Sequence, residues 1–189
     1  MTNLERYLSA SIKSSKSITK EFSTSFSLGI RCLGKEIRDP VYSIYGFVRV
    51  ADEIVDTFFE TNQEALLKDF ESSTFSAIKE KFSTNVILHS FQSTVNKYNI
   101  DSHLIEAFFE SMKSDLNKNK HSQKSLDSYI YGSAEVVGLM CLKIFVNGDQ
   151  KHYDNLIFSS RKLGSAFQKV NFFRDMNEDY NEKGRMYFP

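Results

Sequence analysis

Long stretches of this chain carry apolar residues at steps of three and four, with almost no proline to interrupt them. Proline occurs only as Pro40 and Pro189, and a proline inside a helix removes a backbone hydrogen bond and clashes with the preceding turn. Because Asp39 and Pro40 are typical of a helix N-terminus, they predict a long helix that begins there and runs to about Glu60. Its apolar residues fit one wide buried face: Val41, Ile44, Phe47, Val48, Ala51, Ile54, Val55 and Phe58.

The same helical spacing recurs along much of the remaining sequence. Turn-forming residues such as Asn99, Gly148 and Asp149 separate some of the periodic segments, and no strand-like alternation of useful length intervenes. We therefore expect an all-α fold of about seven or eight helices, packed antiparallel in one domain over residues 1–189. The further predicted helices cover Asn62 to Lys81, Val86 to Tyr98, Asp101 to Asn117, Ser125 to Phe145 and Gln150 to Tyr180.

Composition argues against several classes of function. The 24 basic and 24 acidic side chains balance, so the overall field does not favour a nucleic-acid partner. No run reaches the roughly 20 apolar residues that span a bilayer, which predicts no transmembrane segment and leaves peripheral membrane contact open. Only Cys32 and Cys141 occur, without zinc-type spacing, and Met1 to Lys20 lacks the apolar core of a secretory leader. A reduced, cytoplasmic chain is the simplest expectation.

An acidic motif interrupts the apolar face of the first long helix. Tyr45, Arg49, Asp52 and Asp56 are spaced by four, three and four residues, so all four project from one side. Buried carboxylates without a partner cost several kcal/mol. The pattern therefore predicts that Asp52 and Asp56 meet a common cation.

A second acidic stripe occurs near the end of the chain. Gln168, Asn171, Asp175 and Asp179 are spaced by three, four and four residues, with Arg174 beside them. Oxygen ligands of this kind suit Mg²⁺, which usually completes its shell with water and phosphate oxygens. Two facing stripes would hold on the order of two or three ions. The alternative is that each stripe is a solvated helix face with intrahelical salt bridges.

Both motifs resemble those of a known family. The segment Tyr45–Asp56 (YGFVRVADEIVD) is similar to the first aspartate-rich motif of squalene and phytoene synthases. The segment Gln168–Asp179, continuing through Gly184–Pro189 (GRMYFP), is similar to the second, and its ending favours the phytoene synthase branch. Weaker matches are Ser23–Phe26 (STSF, the N-terminal diphosphate segment), Tyr131–Met140 (YGSAEVVGLM, the central helix signature) and Asp115.

The resemblance implies an isoprenoid-synthase-type helical bundle around a central apolar cavity, with the two acidic motifs on facing helices at its mouth. It implies a prenyltransferase that condenses two prenyl diphosphates head-to-head, through a cyclopropyl diphosphate, and releases diphosphate. The substrates would be two C20 geranylgeranyl diphosphates, giving phytoene, or two C15 farnesyl diphosphates, giving squalene or dehydrosqualene, in carotenoid or isoprenoid biosynthesis. Reduced nicotinamide (NADPH) is implied only for squalene, and the chain has no glycine-rich dinucleotide loop.

The resemblance also implies roles for particular residues. It makes Asp52, Asp56, Asp175 and Asp179 catalytic and, together with Asn171, the magnesium ligands. Candidates for substrate binding are Ser25, Tyr45, Arg49, Gln168, Arg174, Arg185 and Tyr187. Arg49 and Arg174 could instead pair only with aspartate carboxylates, and Tyr45 or Tyr187 could be core rings with a satisfied hydroxyl. Candidates for the apolar cavity wall, each of which could also be an ordinary core residue, are Phe22, Phe26, Val136, Val137, Leu139 and Met140.

Three departures from the family pattern qualify these expectations. Phe22-Ser23-Thr24 replaces the His-Ser-Lys of many members, which removes a cationic contact. Glu135 replaces a frequent glycine and must find a partner or join the polar zone. Members usually continue for roughly a further third of their length after the second motif, so the bundle's C-terminal helices are expected to be missing, leaving apolar faces for self-association or a partner chain.

Two other functions also fit the sequence. The first is a catalytically incomplete prenyl-diphosphate-binding subunit or fragment that needs a partner chain. The second is a plain helical scaffold with solvated acidic faces, in which the motif aspartates bind no ion.

Overall fold

The computed structural model describes residues 1–117, 122–181 and 186–187, apart from the side chains at 178 and 179. Within these residues the chain forms nine α-helices and one short π-helical segment, Tyr131–Glu135. This confirms the all-α prediction. The α-helices are α1 (Asn3–Phe22), α2 (Thr24–Cys32), α3 (Lys35–Asp56), α4 (Gln63–Glu80), α5 (Val86–Tyr98), α6 (Ser102–Asn117), α7 (Gln123–Ile130), α8 (Val136–Phe145) and α9 (Gln150–Asn181).

Helix α3 differs at both ends from its predicted bounds. It begins at Lys35, so that Pro40 lies inside it, and the prediction of an N-terminus at Asp39–Pro40 was wrong. The added turn is held because Ile37 packs on the core and the Arg38 Nε donates to the Leu33 carbonyl at 2.8 Å. The helix ends at Asp56 rather than near Glu60, since the chain then enters a turn.

Helix α1 had no predicted segment because it is largely polar. It begins with a capping box in which Thr2 and Glu5 satisfy each other's backbone amides. It buries small polar residues against α3 and α5, and the Ser15 hydroxyl lies 2.7 Å from that of Ser90. A Cβ added to Gly46 would lie 2.7 Å from the Ser15 Cβ, so glycine is needed for α1 and α3 to approach this closely.

The main core forms where α3 meets α5, α6 and α8. Phe47 on α3 is fully buried at its centre and stacks on Phe91 of α5 at a centroid distance of 3.8 Å. Phe108 and Phe109 of α6 contact the same ring at 5.4 and 5.7 Å. Aromatic burial of this kind dominates core energetics, so α3 and the site residues it carries are held firmly in place.

The predicted helix Ser125–Phe145 is continuous but contains a π-helical turn between α7 and α8. A Cβ on Gly132 would lie 2.4 Å from the Ala107 carbonyl oxygen, so this turn packs tightly on α6. The stretch Gln123–Phe145 is long and apolar enough to cross a membrane by length and composition alone. However, 61% of its most apolar window is buried inside the bundle, as expected for a central core helix.

Candidate functional site

A cavity of about 740 Å³ opens between α3 and α9. Helix α3 contributes Tyr45, Arg49, Asp52 and Asp56 to its wall. Helix α9 contributes Gln168, Asn171, Arg174 and Asp175, and two further candidates, Ser25 and Tyr187, also line it. The structure therefore brings the first predicted stripe and the described part of the second into one cavity, because side chains three and four residues apart share a helix face. Arg185 and the side chain of Asp179 lie outside the described residues.

The α3 side of the cavity holds an arginine in an apolar setting. The Arg49 Nη2 donates to the Glu53 Oε1, and Glu53 is only 8% exposed. The guanidinium carbon lies 5.3 Å from the centroid of the Phe22 ring. The Arg49 Nε is buried and has no hydrogen-bond partner within the described part of the chain. The sequence suggested pairing with an aspartate, whereas the structure gives Glu53 as the partner.

The carboxyl group of Asp52 is a weaker acid than that of a free aspartate. Burial is the main cause that raises the pKa of Asp52 to about 8, and the charge of neighbouring Asp56 raises it further. Arg49 partly offsets this rise, while Asp115 and Glu53 add to it. A cation at this position would favour the ionised form of Asp52.

The α9 side of the cavity is more exposed. Arg174 donates to Asp175 through Nε and Nη2, both at 2.6 Å, so here the predicted alternative of arginine–aspartate pairing occurs. Across residues 1–117, 122–181 and 186–187, no three histidine, cysteine or acidic side chains lie close enough to hold a metal ion unaided. The described donors therefore lie on two separate walls and do not by themselves form a preassembled cage.

A buried tyrosine–carboxylate group extends the polar part of the cavity. Asp115 on α6 accepts hydrogen bonds from Tyr129 at 2.8 Å and from Tyr187 at 3.5 Å. Tyr187 stacks on Phe172 at 4.3 Å, and burial raises the pKa of Tyr129 well above its ordinary value. Sequence reasoning noted Asp115 but did not place it in the site. It missed Tyr129, whose only signal was its position two residues before the central signature.

The apolar wall differs in part from the prediction. Phe22, Phe26 and Val137 line the cavity as expected. Val136, Leu139 and Met140 take the alternative role of ordinary core residues, since they are buried and are not part of the cavity wall. The face of α8 toward the cavity carries Val137, Gly138, Cys141 and Phe145. These four residues follow helical spacing.

Glu135, which replaces a frequent glycine, has found a partner. Its Oε2 accepts a hydrogen bond from the Arg161 Nε of α9 at 2.6 Å. The Arg161 guanidinium also lies 5.0 Å from the centroid of the Tyr131 ring. A Cβ on Gly164 would lie 3.1 Å from the Ala134 carbonyl oxygen, so α9 approaches the π-helical segment closely. Glu135 therefore connects the second-motif helix to the bundle.

Comparison with known proteins places this arrangement in a family. Residues 19–189 match the family model for squalene/phytoene synthase. A 4,4'-diapophytoene synthase from Staphylococcus haemolyticus is 24% identical over 173 residues, covering 90% of this chain and 59% of that protein. The chloroplastic phytoene synthase 2 of Oryza sativa subsp. japonica is 28% identical over 175 residues, covering 91% and 44%. This chain thus spans about half the length of these relatives.

Solved structures show the same fold. A dehydrosqualene synthase crystallised in complex with a ligand superposes with a TM-score of 0.84 at 26% identity, covering 98% of this chain and 63% of that one. Squalene synthase HpnC from Alicyclobacillus acidocaldarius gives a TM-score of 0.83 at 23% identity, covering 95% and 66%. The fold is that of a helical isoprenoid synthase. The chain belongs to the squalene/phytoene synthase family.

Proposed function

We propose that this chain provides the diphosphate-handling part of a prenyltransferase that condenses two C15 or C20 prenyl diphosphates head-to-head and releases diphosphate. The observation that supports this most is the single cavity that unites Asp52, Asp56, Asn171 and Asp175 beside an apolar wall. Residues 1–189 would then form one partial isoprenoid synthase domain. Phytoene, dehydrosqualene and squalene are the candidate products.

Magnesium fits the residues that are present. The donors on both walls are carboxylate or amide oxygens, which hard cations prefer. Burial and the neighbouring charge of Asp56 raise the pKa of Asp52, and a divalent cation beside these carboxylates would favour their ionised forms. We propose that Asp52 and Asp56 on α3, with Asn171, Asp175 and Asp179 on α9, hold the ions together with phosphate oxygens. Bound magnesium would stabilise the negative charge that develops on a leaving diphosphate.

Basic, hydroxyl and amide side chains of the chain would also bind the diphosphate. Arg49 lines the cavity with a side chain that is 30% exposed, and its guanidinium would donate to a diphosphate oxygen. Donors aimed at a developing negative charge lower the barrier directly. Tyr45 would act as a neutral hydroxyl donor, because burial raises its pKa above the ordinary value. Gln168, Arg174, Tyr187 and Ser25 line the same cavity and complete the proposed binding set, together with Arg185.

One side of the apolar cavity is exposed to solvent in the described part of the chain. Large side chains that line it are also between 39% and 59% exposed, namely Phe22, Phe26, Phe145, Leu163 and Phe167. A carbocation needs a dry cavity, because water would convert it to an alcohol. We therefore propose that an apolar helical segment covers this side, as a continuation of this chain or as a partner chain.

This exposure favours a second candidate function, a prenyl-diphosphate-binding subunit that turns over only when its cavity is covered. The two functions make different predictions for the purified 189-residue chain. Both predict magnesium-dependent binding of a prenyl diphosphate. Only the first predicts hydrocarbon product from the chain alone.

The test is incubation of the chain with labelled farnesyl or geranylgeranyl diphosphate, with and without Mg²⁺. A C30 or C40 hydrocarbon that requires magnesium and disappears in Asp52→Asn would support the synthase. Adding NADPH distinguishes squalene from dehydrosqualene. Binding without product would support the incomplete subunit. If the chain neither binds nor converts either diphosphate, both proposals are wrong.

A further inference from the structure

Phe22 occupies a position with a specific neighbour. It is the last residue of α1, and its ring is 49% exposed. The Arg49 guanidinium carbon lies 5.3 Å from the ring centroid, within the range of a cation–π contact. Both residues line the cavity, so an aromatic face contacts a cation of the cavity wall.

Two groups hold Arg49 from different directions. Phe22 of α1 covers the guanidinium, and Glu53, one helical turn further along α3, accepts from Nη2. The Nε is buried without a partner in the described residues. An unsatisfied buried donor is costly in a folded protein. The Arg49 side chain as a whole is 30% exposed and lines the cavity, so other parts of its guanidinium can reach a ligand there.

The cations around the cavity are few. Among the described residues that line it, Arg49 and Arg174 are the two basic ones, facing the carboxylates of Asp52, Asp56, Asp115 and Asp175. Arg174 forms a two-pronged hydrogen-bonded pair with Asp175. The orientation of Arg49 should therefore affect diphosphate binding more in this cavity than in a site with additional cations.

We propose that Phe22 is a positioning residue that holds the partly exposed Arg49 guanidinium toward a diphosphate in the cavity. The inference rests on the proposed function, because it assumes a diphosphate in this cavity. Arginine held by stacking and by one carboxylate loses less conformational freedom when it binds an anion. Phe22 thus contributes to diphosphate affinity without touching the anion.

The experiment compares three variants of the 189-residue chain: Phe22→Leu, Phe22→Tyr and Phe82→Leu. Tyrosine keeps an aromatic face for the guanidinium, and leucine removes it. Phe82 is the matched control, since it is 43% exposed and contacts the rings of Tyr7 and His89, away from the cavity. The NMR signal of the Arg49 Nε–H, identified by its loss in Arg49→Lys, reports the ring contact without any ligand. Calorimetry with inorganic diphosphate and Mg²⁺ reports the affinity.

We expect Phe22→Leu to move the Arg49 Nε–H resonance and to weaken diphosphate binding about two- to fivefold. Phe22→Tyr should restore both, and Phe82→Leu should change neither. If Phe22→Leu binds diphosphate as tightly as the unsubstituted chain, or if Phe82→Leu weakens binding equally, the inference is wrong while the proposed function survives. If the unsubstituted chain binds no diphosphate, the proposed function fails and this inference fails with it.

Discussion

The two acidic helices differ sharply in how the fold holds them. Ten of the 22 residues of α3 are buried, among them Phe47 at the centre of the aromatic core. Over the described side chains of α9, a helix of 32 residues, Tyr153 and Phe172 are the buried hydrophobic ones. Phe158, Phe167 and Phe173 are exposed. The carboxylates of α3 therefore lie in a largely buried wall of the cavity. Those of α9 lie on a helix whose described residues are mostly exposed.

This difference indicates a division of labour within the site. The α3 side is preorganised, since burial and Glu53 hold Asp52 and Arg49 before any ligand binds. The α9 side is attached mainly through α8 and the π-helical segment, and its position depends on fewer contacts. Elements with few buried contacts open more readily than a core helix does. Equivalent substitutions in α3 and α9 should therefore have different effects on the stability of the chain.

The largest contrast is expected between two phenylalanines. Phe47→Ala on α3 should lower the free energy of unfolding by about 3 to 5 kcal/mol, because it leaves a cavity among stacked rings. Phe173→Ala on α9, where the ring is 65% exposed, should change it by less than about 0.5 kcal/mol. Urea denaturation of both variants measures the difference. Equal losses would contradict the comparison.

Two glycines offer a smaller contrast. Gly46→Ala would place a Cβ 2.8 Å from the Ser15 Cα in backbone that cannot easily move, and should cost about 1 to 3 kcal/mol. Gly164→Ala would meet the Ala134 carbonyl oxygen at 3.1 Å, and its gain in helix propensity should nearly offset the cost. Thermal unfolding of the two variants decides this. A large loss for Gly164→Ala would show that α9 is as rigidly packed as α3.

The acidity of Asp52 predicts a dependence of stability on pH. Its pKa of about 8 in the folded chain lies above the value of about 3.9 for a free aspartate, so folding favours the protonated form. This contribution is fully present below about pH 4 and is lost as the pH rises toward 8. Asp52→Asn should therefore stabilise the metal-free chain more at pH 8 than at pH 4, by at least about 1 kcal/mol.

Denaturation of the metal-free chain at several pH values measures that slope. Asp39→Asn, at an exposed position of the same helix, is the control and should leave the slope unchanged. Magnesium together with diphosphate should reduce the slope in the unsubstituted chain by holding Asp52 ionised. An unchanged slope in Asp52→Asn would show that this carboxyl is not the group responsible.

The smallest predicted effect concerns the link between α9 and the π-helical segment. The Arg161 side chain is 47% exposed, so its pair with Glu135 should contribute about 0.5 kcal/mol. A double-mutant cycle with Glu135→Gln and Arg161→Gln isolates this coupling energy. A coupling above about 2 kcal/mol would mean that α9 depends on this pair far more than its exposure suggests.

The sequence predicted those features that follow from helical spacing. The steps between Tyr45, Arg49, Asp52 and Asp56 correctly predicted one shared face, because a regular helix determines which residues align. The second stripe was predicted in the same way. The start of α3 was mispredicted because Pro40 is also a typical first-turn residue. Ile37 packs on the core through contacts with other helices, which the local sequence does not reveal.

Features that depend on contacts between helices could not be predicted. Helix α1 has a polar sequence, and only its packing against Gly46 and Ser90 explains its burial. The contact of Phe22 with Arg49 joins residues 27 positions apart on different helices. The π-helical turn between α7 and α8 had no signal in the periodicity of the sequence, which predicted one regular helix over Ser125–Phe145.

The most direct test of the central claim is calorimetric binding of inorganic diphosphate to the 189-residue chain, with and without Mg²⁺. The chain is compared with Asp52→Asn, Asp175→Asn and the control Asp39→Asn. We predict magnesium-dependent binding that Asp39→Asn retains and that both motif variants lose, because the two walls act on one ligand. Binding that is unaffected by magnesium, or that survives either motif substitution, would contradict the account.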